Sequence, residues 1–412
     1  SLHSAAASGT ARGDGVPAPQ QAQLDESHTA LQHEELEVEV NVDESGSILA
    51  VSGPMEVRAL TSEIVQQVAA GTTHTVFLLS SGEVYSCGEG WLGHEGIFRC
   101  PKPKRLEALS SEHIVLVAAG SEHSAAVSIE GRVYTWGRGE QFSHHSGRAN
   151  ALGLGGLHHE FNCSEIPRQI GSLSSTRIVH VAVGGEHTIA VSYSGQAYTF
   201  GAGDSGQLGH GDCQSLPSPR LIASIRDLHV TQAAAGQFHS CLLTAAGHVY
   251  TFGSNRFGQL GRATFSGDGN AFAVPHAVRE LQTVCIKQIA AGWSHNVFLD
   301  SAGVVYSFGH GNQGQLGVRV PQQDTPEQGF FQHTPTVLSE FLATLAHTEE
   351  GPVVSVAAGP TYTVFVTARG DAYTCGTIVD GVLHDVNSAF RSDLPHRILG
   401  LPVVRRFGGK QP

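Results

Sequence analysis

Basic charge is what this sequence most lacks. Its 412 residues hold 24 Lys and Arg against 37 Asp and Glu, a formal charge of −13. A general nucleic-acid binder presents a basic surface, so that class is set aside and no nucleic acid is expected to bind by a basic patch. No stretch approaches the roughly 18 consecutive apolar residues of a membrane-spanning helix, so no membrane partner is expected. Cysteine is sparse and odd in number, seven with no C-x-x-C pair, which argues against both a disulfide framework and a zinc ribbon. Reduced, intracellular surroundings are the expectation. The chain begins with Ser, so it reads as a processed form or a fragment, and cytoplasm, nucleus and an organelle such as the mitochondrion all stay open. No Ser-His-Asp order, paired carboxylates or nucleophile elbow stands out from background, so neither covalent catalysis nor a cofactor is expected.

What is present is repetition. Residues 1–34 stand apart: poor in apolar side chains, they belong to a segment up to Val40 that carries seven acids against the single base Arg12. Such a segment buries too little surface to offset its ordering entropy and is expected to be disordered. From residue 35 to 412 a ruler takes over. A first glycine recurs at Gly71, Gly120, Gly184, Gly236, Gly292 and Gly359. A second follows 11 residues later each time (Gly82, Gly131, Gly195, Gly247, Gly303, Gly370), and a third 6 residues after that (Gly88, Gly137, Gly201, Gly253, Gly309, Gly376). A proline, an aliphatic three residues on and an apolar residue three further on precede each unit, from Pro54, Pro103, Pro167, Pro219, Pro275, Pro335 and Pro395.

Each unit reads as four strands. "VAAG" is a strand of small residues suited to crowding round an axis, and runs such as "TVFLL" and "HTIAV" are strands packed on both faces. The second glycine supplies a hairpin turn with positive φ, a third strand carries Tyr, and the proline opens an outer strand where a missing N–H costs least. Four strands recurring every 49 to 67 residues describe an all-β propeller. Complete repeats start near 67, 117, 181, 233, 289 and 356. A seventh blade is expected to be split between residues 36–57 and 403–410, closing the ring by pairing N- and C-terminal strands and leaving no free edge. A monomer is the expectation. Cys87 and Cys375 stand where other repeats place Trp or Phe and read as small core residues.

The recurring His74, His123, His187, His239 and His295 fall on different blades, so a shared metal or acid–base site is a poor account of them. Buried imidazoles bonding neighbouring backbone fit better. His144, His145, His158 and His159 flank a Gly-rich insertion at about 139–163. With no Cys or carboxylate partner they read as a solvated loop rather than zinc ligands, leaving His144 and His158 as candidates for partner contact. A second long loop spans about 318–352 and offers Phe330 and Phe331 as an exposed anchor.

The pattern G-x-x-H-(T/S), turn glycine, Y-x-(W/F)-G, completed by "GQLG" at Gly206–Gly209, Gly258–Gly261 and Gly314–Gly317, resembles the RCC1 (regulator of chromosome condensation) repeat family. The resemblance covers roughly residues 36–412, and neither a Trp-Asp dipeptide nor a repeated double glycine supports the rival propeller families. "GQLG" decays to "GWLG" at Gly90–Gly93 and "ALGLGG" at Ala151–Gly156, and Tyr362 replaces the last repeat histidine. The leading functional expectation is a non-enzymatic scaffold binding a protein or ribonucleoprotein partner, with the acidic balance favouring a basic partner surface. The alternative, which the resemblance implies, is guanine-nucleotide exchange on a small GTPase such as Ran. Glu122 and Glu186 would then be the acidic contacts and His295 a third, with the 139–163 insertion in the third blade as a wedge. The same resemblance implies plant-type UV-B photoreception, but that needs clustered tryptophans from several blades and only Trp91, Trp136 and Trp293 exist.

Overall fold

A computed structural model describes residues 57–139, 150–155, 163–262, 272–319, 329–348, 350–377 and 391–398, together with short strands at 40–42 and 48–51. The described residues form six four-stranded antiparallel sheets, each built from consecutive strands. The first blade runs Val65–Ala70, His74–Leu79, Val84–Glu89 and Arg99–Arg105 from inner to outer edge. Inner strands of the other five are Ile114–Ala119, Ile178–Val183, Val230–Ala235, Ile286–Ala291 and Val353–Ala358. The turn glycines take the positive φ their hairpins require, between 81° and 92°.

The proline-led pattern has a physical explanation. The proline lies inside the outer strand, a correction to the expectation that it opens it. The aliphatic three residues later directly follows the strand, and the next apolar residue sits in a single 3-10 turn leading to the following blade. Leu106 and Leu109, Ile170 and Leu173, Ile222 and Ile225, and Val278 and Leu281 are all buried in this way. Before the last blade the turn lengthens into an α-helix, Ser339–Thr348, that inserts Phe341 and Leu345 against Phe365 and Tyr373. Much of the second long loop is therefore ordered packing.

Blades cohere through interlocking. Trp136, Phe200, Phe252 and Phe308 on third strands are wholly buried, each wedged against the preceding blade. The small loop ahead of each wedge must admit it: a Cβ on Gly153 would lie 2.6 Å from the Phe200 ring. Glutamines on inner strands clamp the next blade's backbone, Gln67 accepting from Val117 N at 3.0 Å and donating to Val117 O at 2.9 Å. Gln288 does the same to Val356.

The expected seven-bladed ring is corrected to six blades. Strands Val40–Val42 and Ile48–Val51 pair only with each other in a two-stranded sheet, and no blade among the described residues is closed by joining N- and C-terminal strands. Residues 403–410, like the tail 1–34, lie outside the described residues. Packing at the first blade agrees. On the first blade Val65 and Val68 are exposed (38% and 53%), whereas their counterparts Ile114 and Val117 on the second are 1% exposed against the first blade. Cys87, in the wedge position of this first blade, is only half-buried, although Cys375 in the last is fully buried as expected.

Phe252 tests the wedge model of cohesion. Phe252→Ala should lower the stability read by urea unfolding by about 3–5 kcal/mol, the usual cost of emptying a full aromatic site. A loss below about 1 kcal/mol would mean the blades are held by something else.

Candidate functional site

The loops joining first to second strands, and those joining third to fourth, emerge at one end of the blades. Their geometry begins with the repeat histidines. His74, His123, His187, His239 and His295 are 0–4% exposed, and each Nε2 reaches a polar side chain on the next blade: Ser124 at 2.7 Å, Thr188 at 2.9 Å, Ser240 at 2.9 Å, Asn296 at 3.1 Å and Thr363 at 3.0 Å. Thr188, Ser240, Asn296 and Thr363 in turn donate to the carbonyls of Ala151, Gln207, Gln259 and Gln315 at 2.6–2.8 Å. A hydroxyl whose one proton goes to a carbonyl must accept from the imidazole, as must the Asn296 Oδ1, so Nε2 of His123, His187, His239 and His295 carries the proton. Burial keeps these rings neutral. The partner is thus a side chain of the neighbouring blade, a correction to the backbone bonding expected. The residues expected as "GQLG" supply the carbonyls, and Ala151, in the degenerate "ALGLGG", does the same work.

The first glycine exists for this ring. A Cβ on Gly184 would lie 2.5 Å from both His187 Cε1 and the Gly236 carbonyl of the next blade. Burial holds His74 and His239 down to about 4, and His123, His187 and His295 down to about 3. In the sixth blade Tyr362 takes the position, half-buried against Gly359.

On this frame the two residues between glycine and histidine are free to vary. They read Thr72-Thr73, Ser121-Glu122, Gly185-Glu186, Gln237-Phe238, Trp293-Ser294 and Pro360-Thr361. Their backbone is pinned, since the residue after each third glycine donates to it: Arg138 N to Glu122 O at 2.9 Å, Ala202 N to Glu186 O at 2.8 Å and His310 N to Ser294 O at 2.8 Å. Glu122 stands partly exposed with its carboxylate 3.5 Å from the Arg138 guanidinium. Glu186 is 5% exposed, an internal group of its loop. His295 is wholly buried and committed to Thr363. The three expected exchange contacts are therefore not one cluster, and only Glu122 has its side chain open to a partner.

Trp293, 39% exposed on the fifth loop, was not singled out from the sequence as a contact residue. Beside its loop, Phe257, His310 and Phe331 form a three-ring cluster with centroids 4.9–5.6 Å apart, and Arg256 lies over Phe257. Phe331 is thus half covered, and Phe330 packs against Gly311. His144 and His158 lie outside the described residues; their insertion joins Val133–Arg138 to Cys163–Gln169 in the second blade rather than the third, because no split blade precedes it. Among the described residues no group of three or more His, Cys, Asp or Glu is placed to hold a metal.

The regulator of chromosome condensation (RCC1) repeat pattern matches residues 81–127, 130–191, 194–243, 246–299 and 302–366. The chain belongs to the RCC1 repeat family. It is 36% identical over 323 residues to the probable E3 ubiquitin-protein ligase HERC4 of Mus musculus, covering 77% of this chain but only 28% of that protein. It is 33% identical over 265 residues to the ultraviolet-B receptor UVR8 of Arabidopsis thaliana, covering 64% of this chain and 57% of that one. Here, however, the three tryptophans belong to the first, second and fifth blades, and Trp136 is wholly buried. Among solved structures, Prp20p from Saccharomyces cerevisiae, studied for its binding to Gsp1p and histones, superposes with a TM-score of 0.71 at 24% identity over 88% of this chain and 82% of that one. Yeast RCC1 (Prp20) bound to Kap60 gives 0.70 at 25% identity over 87% and 80%.

The buried neutral histidines set a pH limit. Their folded pKa values lie below the ordinary 6.5, so the unfolded chain takes up protons first as pH falls, and each adds about 1.4 kcal/mol of destabilisation per pH unit below 6.5. Their stability contribution is intact above pH 6.5 and lost progressively towards pH 4. Urea midpoints should fall steeply between those limits, and less steeply in His187→Asn; a midpoint unchanged down to pH 5 would contradict the neutral ladder.

Proposed function

We propose that this propeller is a protein-interaction module whose loop end engages a small GTPase of the Ran type and promotes release of its guanine nucleotide. The position of Glu122 carries this reading. It is a partly exposed carboxylate whose partner, Arg138, borders the 139–163 insertion. An exposed ion pair contributes at most about 1 kcal/mol, so Glu122 can exchange Arg138 for a lysine of the partner at little cost. A carboxylate that takes a phosphate-binding lysine competes with the nucleotide, and by linkage the nucleotide then weakens the complex by the same factor. The likeness to yeast Prp20 over most of the chain supports the reading, and with it a nuclear or cytoplasmic setting. Glu186 and His295 remain part of the proposal as groups that hold the loops in shape. HERC4 extends far beyond the matched part, and its ligase activity is not transferred to this chain.

A second reading, a scaffold that holds its partner whatever nucleotide is bound, is favoured by Trp293. An exposed indole beside an aromatic cluster is the kind of residue that dominates binding energy at interfaces.

The two readings separate in one assay. The full chain, mixed with Ran loaded with a fluorescent GDP analogue, should speed its release at least tens-fold, and Glu122→Ala should remove about tenfold of that with an unchanged melting temperature. No acceleration would exclude exchange on this GTPase. A partner retained equally in EDTA and in excess Mg²⁺-GTP, and lost in Trp293→Ala, would establish the scaffold.

A further inference from the structure

The chain contains four lysines, Lys102, Lys104, Lys287 and Lys410, and two of them fall within one seven-residue strand. That strand, Arg99–Arg105, reads "RCPKPKR" and forms the outer edge of the first blade. Its arginines are occupied: Arg99 pairs with Glu89 at 3.2 Å, and Arg105 with Glu83 at 2.9 Å and Glu107 at 4.0 Å. Lys102 and Lys104 are exposed and, among the described residues, have no carboxylate within ion-pair distance. Lys104 is close enough to His94 to join burial in lowering that ring's pKa.

Directly ahead of the strand, the loop closed by Gly90 N donating to Phe98 O at 2.8 Å presents an aromatic pair. Trp91 and Phe98 meet edge to face with centroids 5.1 Å apart, and Phe98 is 46% exposed. Gly96 N of this loop donates to Glu165 of the second blade at 2.7 Å, which holds the pair against the rim. None of the other outer strands combines these features. "CSEIPRQ", "LPSPRL", "FAVPHA" and "FQHTPTV" carry at most one lysine or arginine each, and "RSDLPHR" commits Arg397 to Asp371.

We propose that Phe98, Trp91, Lys102 and Lys104 form a second docking surface on the first blade, which binds an acidic, extended segment of a partner protein bearing one apolar anchor. Charge decides the partner's sign: these two lysines are free cations on a chain of net charge −13, so attraction to acid is local to this edge. Pro101 and Pro103 withhold two backbone donors from the edge, so an incoming segment is recognised by side chains and not by adding a strand. Surface carboxylate–ammonium contacts contribute little affinity by themselves and act chiefly on encounter rate. Affinity then rests on an apolar side chain covering Phe98 and Trp91. A protein segment fits better than a nucleic acid, whose continuous phosphate charge would be repelled by the rest of the surface.

The test uses the full chain and two fluorescein-labelled probes of equal charge, a short Glu/Asp peptide around a central Leu and a single-stranded oligouridylate. Anisotropy should show binding of the peptide that weakens with added salt. K102E/K104E should lose about tenfold or more in affinity and Phe98→Ala severalfold, with melting temperatures unchanged. Lys102→Gln with Lys104→Gln should give an intermediate loss, which a folding defect would not produce. Tighter binding of the oligouridylate, no binding of the peptide, or peptide affinity unchanged in K102E/K104E would each overturn the proposal. None of these outcomes bears on nucleotide exchange, which is read at the loop end with Glu122 variants.

Discussion

The grip of each blade on its neighbour depends on one hydrogen-bond relay. An imidazole and a loop carbonyl of one blade hold the same hydroxyl or amide of the next, as His187 and the Gln207 carbonyl hold Ser240. Every member is buried, so none can turn to water for a substitute, and losing one leaves the others unsatisfied. The neutral Nε2–H tautomer follows from the relay, the depressed pKa values follow from its burial, and the glycine three residues earlier follows from the room the ring needs. Aromatic wedges supply most of the apolar burial at the same joints; the relay sets the alignment at which they fit.

That rigid frame is why the loop end can carry function. The two residues between glycine and histidine are pinned through their backbone, and only some of their side chains, such as Thr73 and Thr361, are bonded back into the loop. These two positions therefore hold Glu122, Phe238 and Trp293 on the second, fourth and fifth blades without disturbing the joints below. Connections from third to fourth strands open at the same end, and the 139–163 insertion falls there. Every second-to-third-strand turn at the other end keeps three residues, as at 129–131, closed by Ser128 N donating to Arg132 O at 2.9 Å. Chemistry at the loop end is set by side chains on a fixed scaffold, and partner choice by which of them are exposed.

Much of this was legible in the residue pattern, and for identifiable reasons. Glycines that need positive φ, histidines that need a buried partner and prolines confined to an outer strand leave fixed spacings. The turn glycines and buried histidines took their expected places, while the described prolines lie inside the outer strands and do not open them. The blade number was misjudged because "LEVEVNVDESGSILAV" has strand-like alternation but no glycine–histidine pair, and so lacks the means to lock to a neighbour. Tyr362 was the available clue, because the sixth blade departs from the repeat at the joint residue itself. Among candidate contacts, Glu186 and Glu122 look alike in sequence, both following a repeat glycine and preceding histidine. Only packing against the neighbouring loop distinguishes the buried carboxylate from the exposed one.

The sequence by itself determined the repeat, the strand order within each blade and the identity of the joint residues, because these are local patterns that recur with their spacing intact. Tertiary structure decided how many blades there are, which histidine partners lie across each joint, and which loop side chains reach solvent. Those properties depend on residues some 50 to 70 positions apart, such as His295 and Thr363, 68 apart, and no local pattern records who meets whom across such a distance.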